Sequence, residues 1–179
     1  SSITFLYYFL PILLLIYFVV PSKFKNLVLL VFSLLFYFYG EPKYVIILVL
    51  SCLINYIFGL VIEKKKSKLY LFFAVLINLG ILVFFKYTNF FTNNLNNIFG
   101  LNIPLLNVVM PIGISFFTFQ TLSYVIDVYK GDIDADHNFF RFATYVSLFP
   151  QLVAGPIVRY KDVNNELKKR TLSFKLFSE

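Results

Sequence analysis

A chain of 179 residues that is 59% hydrophobic and only 14% charged cannot clothe a water-facing surface, because soluble domains run near 45–50% apolar and about 25% charged. Its 24 Phe and 13 Tyr exclude a disordered chain as well. The net charge of +7 falls in short breaks between long apolar runs, which points to a lipid bilayer as the surrounding medium and not to a nucleic-acid partner.

The first apolar run predicts a membrane span over about 3–20, near the ~20 residues that cross a ~30 Å hydrocarbon core. A signal peptide does not fit, since no basic stretch precedes the run and Val20-Pro21-Ser22-Lys23 is not a small-residue cleavage site. Further spans follow at about 24–39, 44–62 and 69–85. The breaks between them, Pro21-Ser22-Lys23, Gly40-Glu41-Pro42-Lys43 and Glu63-Lys64-Lys65-Lys66-Ser67-Lys68, are short enough to make antiparallel helical hairpins. Runs that are continuously apolar, without ~10-residue alternation, exclude a transmembrane β-barrel.

After Lys86 the composition shifts to Asn and Phe, and 86–107 reads as an interfacial helix or loop. Pro111 then opens a shorter run, and a last run over about 139–157 is interrupted by Pro150, Gly155 and Pro156. Charge counting sets the topology. With the N-terminus outside, Lys23, Lys25, Lys64, Lys65, Lys66 and Lys68 are cytoplasmic, while Lys43 and Lys86 are outside. The basic tail with Arg159, Lys161, Lys168, Lys169 and Arg170 stays inside only if the stretch 111–128 enters and leaves on one side. The expected fold is therefore all-α: a single polytopic transmembrane helical bundle over 1–179 with five spans and a re-entrant or oblique element. Full crossing by a longer, tilted helix through Val128 is the alternative.

Two patterns of polar residues lie inside the apolar runs. Ser51, Asn55 and Gly59 recur every four residues and stack on one helical stripe, repeated by Ala74 and Asn78 in the next run; such small-residue faces pack transmembrane helices. After Pro111, the residues Gly113, Phe116, Gln120, Ser123, Tyr124 and Asp127 share an arc of about 100° on a helix. Polar groups at membrane depth are costly and normally face a bundle interior or a wet cavity, so Gln120, Ser123, Tyr124 and Asp127 become candidate lining residues; Asp127, at the run's edge, also suits an interfacial position. Ser115, Thr118 and Thr121 fall off this face and can bond back to their own helix. The segment from Leu148 to Arg159 carries two prolines and a glycine. Broken helix of this kind is tolerated only where protein or water satisfies the freed carbonyls, which adds Gln151 and Arg159 as candidates, against a plain kinked helix with Arg159 snorkelling to the interface.

The inventory for chemistry is thin. His137, the single histidine, stands in a polar loop with no second nitrogen ligand and no nearby nucleophile, so metal and triad arrangements fail. No phosphate loop or dinucleotide fingerprint occurs. Cys52, the lone cysteine, reads as a small buried hydrophobe.

The stretch Met110-Pro111-Ile112-Gly113-Ile114-Ser115-Phe116-Phe117-Thr118-Phe119-Gln120, continued by Asp127-Val128-Tyr129, and the stretch Phe149-Pro150-Gln151-Leu152-Val153-Ala154-Gly155-Pro156-Ile157-Val158-Arg159 closely resemble the membrane-bound O-acyltransferase family, in its bacterial alginate O-acetylation branch. Glu41-Pro42-Lys43-Tyr44 also looks like that branch. The resemblance implies a multi-pass enzyme of the bacterial cytoplasmic membrane that moves an acyl group, usually acetyl, to hydroxyls of an extracytoplasmic polysaccharide or envelope polymer. It also implies an acyl donor, acetyl-CoA or another acyl carrier, as substrate with no bound cofactor, and leaves room for an extracytoplasmic acyltransferase partner. The family's catalytic histidine lies in a later transmembrane segment; His137 does not match it, so the chain is expected to be the N-terminal part of a longer enzyme with no catalytic residue of its own. The rival is a non-enzymatic transporter or scaffold in which the polar helix face lines a path.

Overall fold

The computed structural model describes residues 4–106, 108–148 and 158–168, with the side chains of 5, 6 and 165–168 left aside. Among the described residues every regular element is helical, and no strand occurs. A π-helical turn at Phe5–Phe9 leads into α1 (Leu10–Val19), followed by α2 (Lys25–Gly40), α3 (Val45–Lys65), α4 (Lys68–Phe99), α5 (Ile114–Lys130), α6 (Phe139–Ser147) and α7 (Tyr160–Lys168).

Among the described residues, three helical stretches are long and apolar enough to cross a membrane: Ser22–Gly40, Pro42–Lys65 and Lys68–Phe99. Their outward faces carry exposed Leu35, Phe38, Ile46, Leu50, Phe72 and Phe84, which water would not tolerate as one continuous surface and lipid does. The chain thus has the helical membrane-bundle fold that its composition demands. Local chemistry sets the ends: α3 closes at Lys66, which takes a left-handed conformation at φ 44° and donates its N–H to the Ile62 carbonyl at 2.8 Å, while Ser67 caps α4 by accepting from Leu69 N–H at 3.3 Å.

The bundle interior is built by α5 and α6. The first packs against α3 and α4, the second against α2 and α3. Asn55 and Asn78 lie face to face between α3 and α4 and exchange amide hydrogen bonds of 3.0 and 2.7 Å. Each also donates to the carbonyl four residues back on its own helix, Ser51 and Ala74. Thr121 of α5 directs its hydroxyl toward Asn78 Oδ1 at 3.2 Å and the Thr118 carbonyl at 2.9 Å. One fully satisfied polar knot therefore joins three helices.

Two expectations about element bounds differ from the structure. No boundary falls at Lys86: α4 runs unbroken to Phe99, 32 residues, about 48 Å of helix. Of the two readings for 86–107, helix or loop, the helix holds as far as Phe99, and its asparagines bind the chain that follows. Asn89 pairs both ways with the backbone of Val108, at 3.0 and 3.3 Å, and Asn96 with that of Ile103, at 2.9 Å each. Ile103 and Val108 are thereby fastened antiparallel along the helix without any sheet. The last run, expected to span 139–157, begins with a helix of only nine residues, Phe139–Ser147, too short to cross a membrane by itself; 149–157 lie outside the described residues.

Candidate functional site

The helix that follows Pro111 starts where Gly113 adopts φ 77°, and stops where Gly131 adopts φ 80° and donates to the carbonyls of Asp127 and Val128. Between these glycines α5 turns Gln120, Tyr124 and Asp127 inward, at 3%, 0% and 7% exposure. Gln120 donates from Nε2 to the Tyr145 carbonyl at 3.2 Å and so ties α5 to α6. Ser123 is half-buried and Phe116 exposed, whereas Thr118 and Thr121, placed off the polar face by the sequence, are fully buried. The buried arc is wider than the polar pattern, because α5 meets α3 on one side and α4 on the other.

Tyr124 is the pivot of the site. Its ring packs 4.6 Å from Phe142 and 5.0 Å from Tyr160, and its hydroxyl lies against Gly59, where a Cβ would stand 2.9 Å from the oxygen and 2.8 Å from Cε1. The stripe position on α3 is empty so that the phenol can enter. The Tyr124 hydroxyl in turn accepts the backbone N–H of Asp136 at 2.8 Å.

Asp136 heads a cluster that the sequence pattern did not single out. Only 2% exposed, its carboxylate accepts from Arg141 Nε at 2.7 Å and from Arg141 Nη2, from the Tyr160 hydroxyl, and from the N–H of Asn138 at 2.9 Å. Four donors converge on one buried carboxylate, a forked guanidinium among them, as desolvated charge requires. Burial and then the Asp136 carboxylate push the Tyr160 phenol above its ordinary range, so it stays a proton donor at neutral pH. The sequence signal was present in Asp136-His137-Asn138 followed by Arg141: Asn138 caps α6 by accepting from Arg141 N–H at 3.3 Å, and that cap turns the arginine back over the aspartate.

His137 itself points outward, its side chain 69% exposed, with Nε2 3.2 Å from Glu63 Oε2. The other oxygen of Glu63 accepts from Ala135 N–H at 2.9 Å, so the end of α3 holds the loop from beneath. Tyr145 closes the far side by donating to the Val158 carbonyl at 2.7 Å, just before exposed Arg159, which does not join the cluster. Gln151 lies outside the described residues. No set of three or more His, Cys, Asp or Glu side chains gathers as a metal site among the described residues. With its acceptors and donors engaged, the Asp136 cluster is arranged to hold α5, α6, α7 and the loop between them, and not to take a proton from a substrate.

No family profile and no solved structure matches the chain. Sequence comparison with characterised proteins is more informative. The chain is 38% identical over 188 residues to the "Probable alginate O-acetylase AlgI" of Pseudomonas aeruginosa, covering 100% of the chain and 36% of that protein. With the AlgI of Pseudomonas putida the identity is 40%, covering 100% of the chain and 39% of the relative. The chain matches the N-terminal portion of membrane-bound O-acyltransferases. The "Peptidoglycan O-acetyltransferase" of Helicobacter pylori is 34% identical over 214 residues, covering 97% of the chain and 41% of that enzyme. The chain thus spans about two fifths or less of the length of these relatives. Every described element, from the π-helical turn to α7, falls within the stretch that matches these relatives.

Proposed function

We propose that the chain forms the N-terminal part of a multi-pass enzyme of the bacterial cytoplasmic membrane that transfers an acyl group, acetyl in the simplest case, to hydroxyls of an extracytoplasmic polysaccharide or cell-envelope polymer. The single observation that carries this reading is the similarity over the whole chain to proteins named as O-acetylases of two different envelope polymers. In it the donor is acetyl-CoA or another acyl carrier, used as substrate, and an extracytoplasmic acyltransferase takes the group onward.

The residues play a supporting part in this scheme. The Asp136 cluster and the Gln120 bond fix the inner face of α5, and acyl transfer gains most from groups held in place before the reaction. Gln120, Ser123, Tyr124 and Asp127, with Gln151 and Arg159 beyond α6, are proposed to line the path of donor or acceptor. The general base that takes the acceptor hydroxyl's proton is assigned to the part of the enzyme beyond this chain.

Deleting the gene and measuring alkali-released acetate from envelope polysaccharide tests the activity, with loss of acetate on deletion and its return on complementation expected. Unchanged acetate sinks the proposal. Gln120→Ala in the complementing copy is expected to lower acetylation by about ten- to hundred-fold with the protein still in the membrane fraction; undiminished acetylation removes Gln120 from the lining.

A further inference from the structure

The break between α3 and α4 concentrates positive charge, with Lys64, Lys65, Lys66 and Lys68 all exposed. The acid beside them, Glu63, does not balance them. Both its oxygens are engaged by the 131–138 loop, one accepting from Ala135 N–H at 2.9 Å and the other lying 3.2 Å from His137 Nε2. Among the described residues no carboxylate stands within ion-pair reach of any of the four lysines. Lys65 is occupied in another way, donating to the Tyr70 hydroxyl at 3.1 Å with its ammonium 5.2 Å from the centre of that ring. Lys64, Lys66 and Lys68 have no such partner among the described residues.

The backbone marks the same place. Lys66, at φ 44°, is the only non-glycine residue with a positive φ among the described residues, in a left-handed cap where helices ordinarily end on glycine or asparagine. A Cβ is a handicap there, so folding alone favours glycine at this position.

Below the charge lies a lipid-facing surface. Counting from Lys68, the exposed residues Phe72, Leu76, Leu79 and Val83 recur every three or four positions along α4, which stacks them on one stripe. On α3, Lys64 stands at helical spacing from exposed Ile57, Leu53 and Leu50. Both helices are long and apolar enough to cross a membrane. An ammonium at the head of such a stripe meets the phosphate of a lipid whose acyl chain runs down it. Inorganic phosphate or an acidic protein would satisfy the charge and leave the stripe unused.

Basic clusters of about four to eight residues beside a membrane helix attract anionic lipid. We propose that the α3–α4 turn binds an anionic phospholipid, with its phosphodiester held by Lys64, Lys66 and Lys68 and an acyl chain laid along the Phe72–Val83 stripe. Phosphatidylglycerol, with its net negative charge, is preferred to phosphatidylcholine, whose own ammonium offsets the phosphate charge.

The test uses the full-length protein in phosphatidylcholine nanodiscs doped with equal traces of two photoreactive lipids, alike in their diazirine acyl chains and differing only in glycerol or choline headgroup. Adducts are mapped by peptide mass spectrometry. On peptides covering Phe72–Val83 the phosphatidylglycerol probe is expected to exceed the phosphatidylcholine probe by at least about five-fold, the effect of a single lysine near an anionic surface. Lys64→Gln, Lys66→Gln and Lys68→Gln combined are expected to bring the ratio to about one, while Lys43→Gln, in the turn between α2 and α3, leaves it unchanged. Lys66→Gly separates binding from folding: it is expected to raise the unfolding temperature by relieving the left-handed backbone, and to lower the ratio by roughly two- to five-fold. Equal labelling in the wild type overturns the proposal. So does a preference that survives the triple substitution, because the lysines then do not select the lipid. A preference abolished by inorganic phosphate, but not by chloride at equal ionic strength, assigns the site to free phosphate and overturns the lipid reading as well.

Discussion

Two polar knots hold this bundle, and they use opposite chemistry. Between α3, α4 and α5, Asn55, Asn78 and Thr121 form a neutral knot in which each amide donates both across the interface and back to its own helix. Beneath the 131–138 loop, Asp136 and Arg141 form a charged knot, with Tyr160 and backbone N–H groups completing the shell. Ionised side chains inside a membrane are expensive, so mid-helix positions rely on amides that carry no net charge. Where the chain leaves its apolar runs, an ion pair is admissible. There its geometry does what amides cannot, orienting a loop and two helices around a single carboxylate, with α5 joined through the Asp136 backbone.

The contrast between the knots breaks first at Asp136. Asp136→Ala leaves a half-buried guanidinium and the buried Tyr160 phenol without their acceptor; removing one partner of a fully buried pair costs about 3–5 kcal/mol, and water reaching Arg141 brings the expected loss to about 3 kcal/mol. Thermal unfolding in detergent is expected to show a larger loss for this substitution than for Gly59→Ala, Asn55→Ala or Asn96→Ala. If Asp136→Ala costs no more than Asn55→Ala, charge does not separate the two knots. The next largest effect is at Gly59, which borders both: a methyl there meets Tyr124 at 2.8 Å, and overpacking of this kind costs about 1–3 kcal/mol. Tyr124→Phe is expected to relieve Gly59→Ala only in part, since the Cε1 contact survives; full relief in the same unfolding assay would assign the clash to the hydroxyl alone.

How much of the fold and the site is legible in the sequence depends on the length scale of the pattern. Apolar runs of sixteen or more residues announce membrane helices directly, and the four-residue stripe of Ser51, Asn55 and Gly59 places small and amide side chains at a helix interface before any coordinates; all three are buried. The change of composition at Lys86 leaves helix and loop both open, because the role of Asn89 and Asn96, two turns apart, is to bind residues further along the chain that have no periodicity of their own. Thr118 and Thr121 lack a signal because a threonine can satisfy itself on its own helix. Thr121 does so and still reaches Asn78. The Asp136 cluster is hidden for a different reason: the Asn138 cap hints at Arg141 alone, while Tyr124 and Tyr160 come from two other helices and no spacing in the sequence links them to the aspartate.

Smaller effects sharpen the neutral side of the contrast. Asn55→Ala removes both cross-helix bonds, yet interhelical hydrogen bonds in membranes average ~0.6 kcal/mol, with ~1–2 kcal/mol in model peptides. A double-mutant cycle with Asn78→Ala is therefore expected to give a coupling of about 1 kcal/mol, unchanged by added salt. A salt-dependent coupling would mean that this knot senses charge after all.

The smallest effect belongs to Asn96. It donates to the Ile103 carbonyl and accepts from the Ile103 N–H, both at 2.9 Å and both exposed, so water replaces the lost partner and Asn96→Ala is expected to cost about 0.5–1 kcal/mol. The bonds are local, and the loss should be local too. Hydrogen exchange at Ile103 is expected to speed up by roughly two- to five-fold, with α3 and α4 amides unmoved. If exchange in α4 rises alongside, the stretch around Ile103 stabilises the helix it lies on, and the asparagine pair belongs with the two knots as a third support of the bundle.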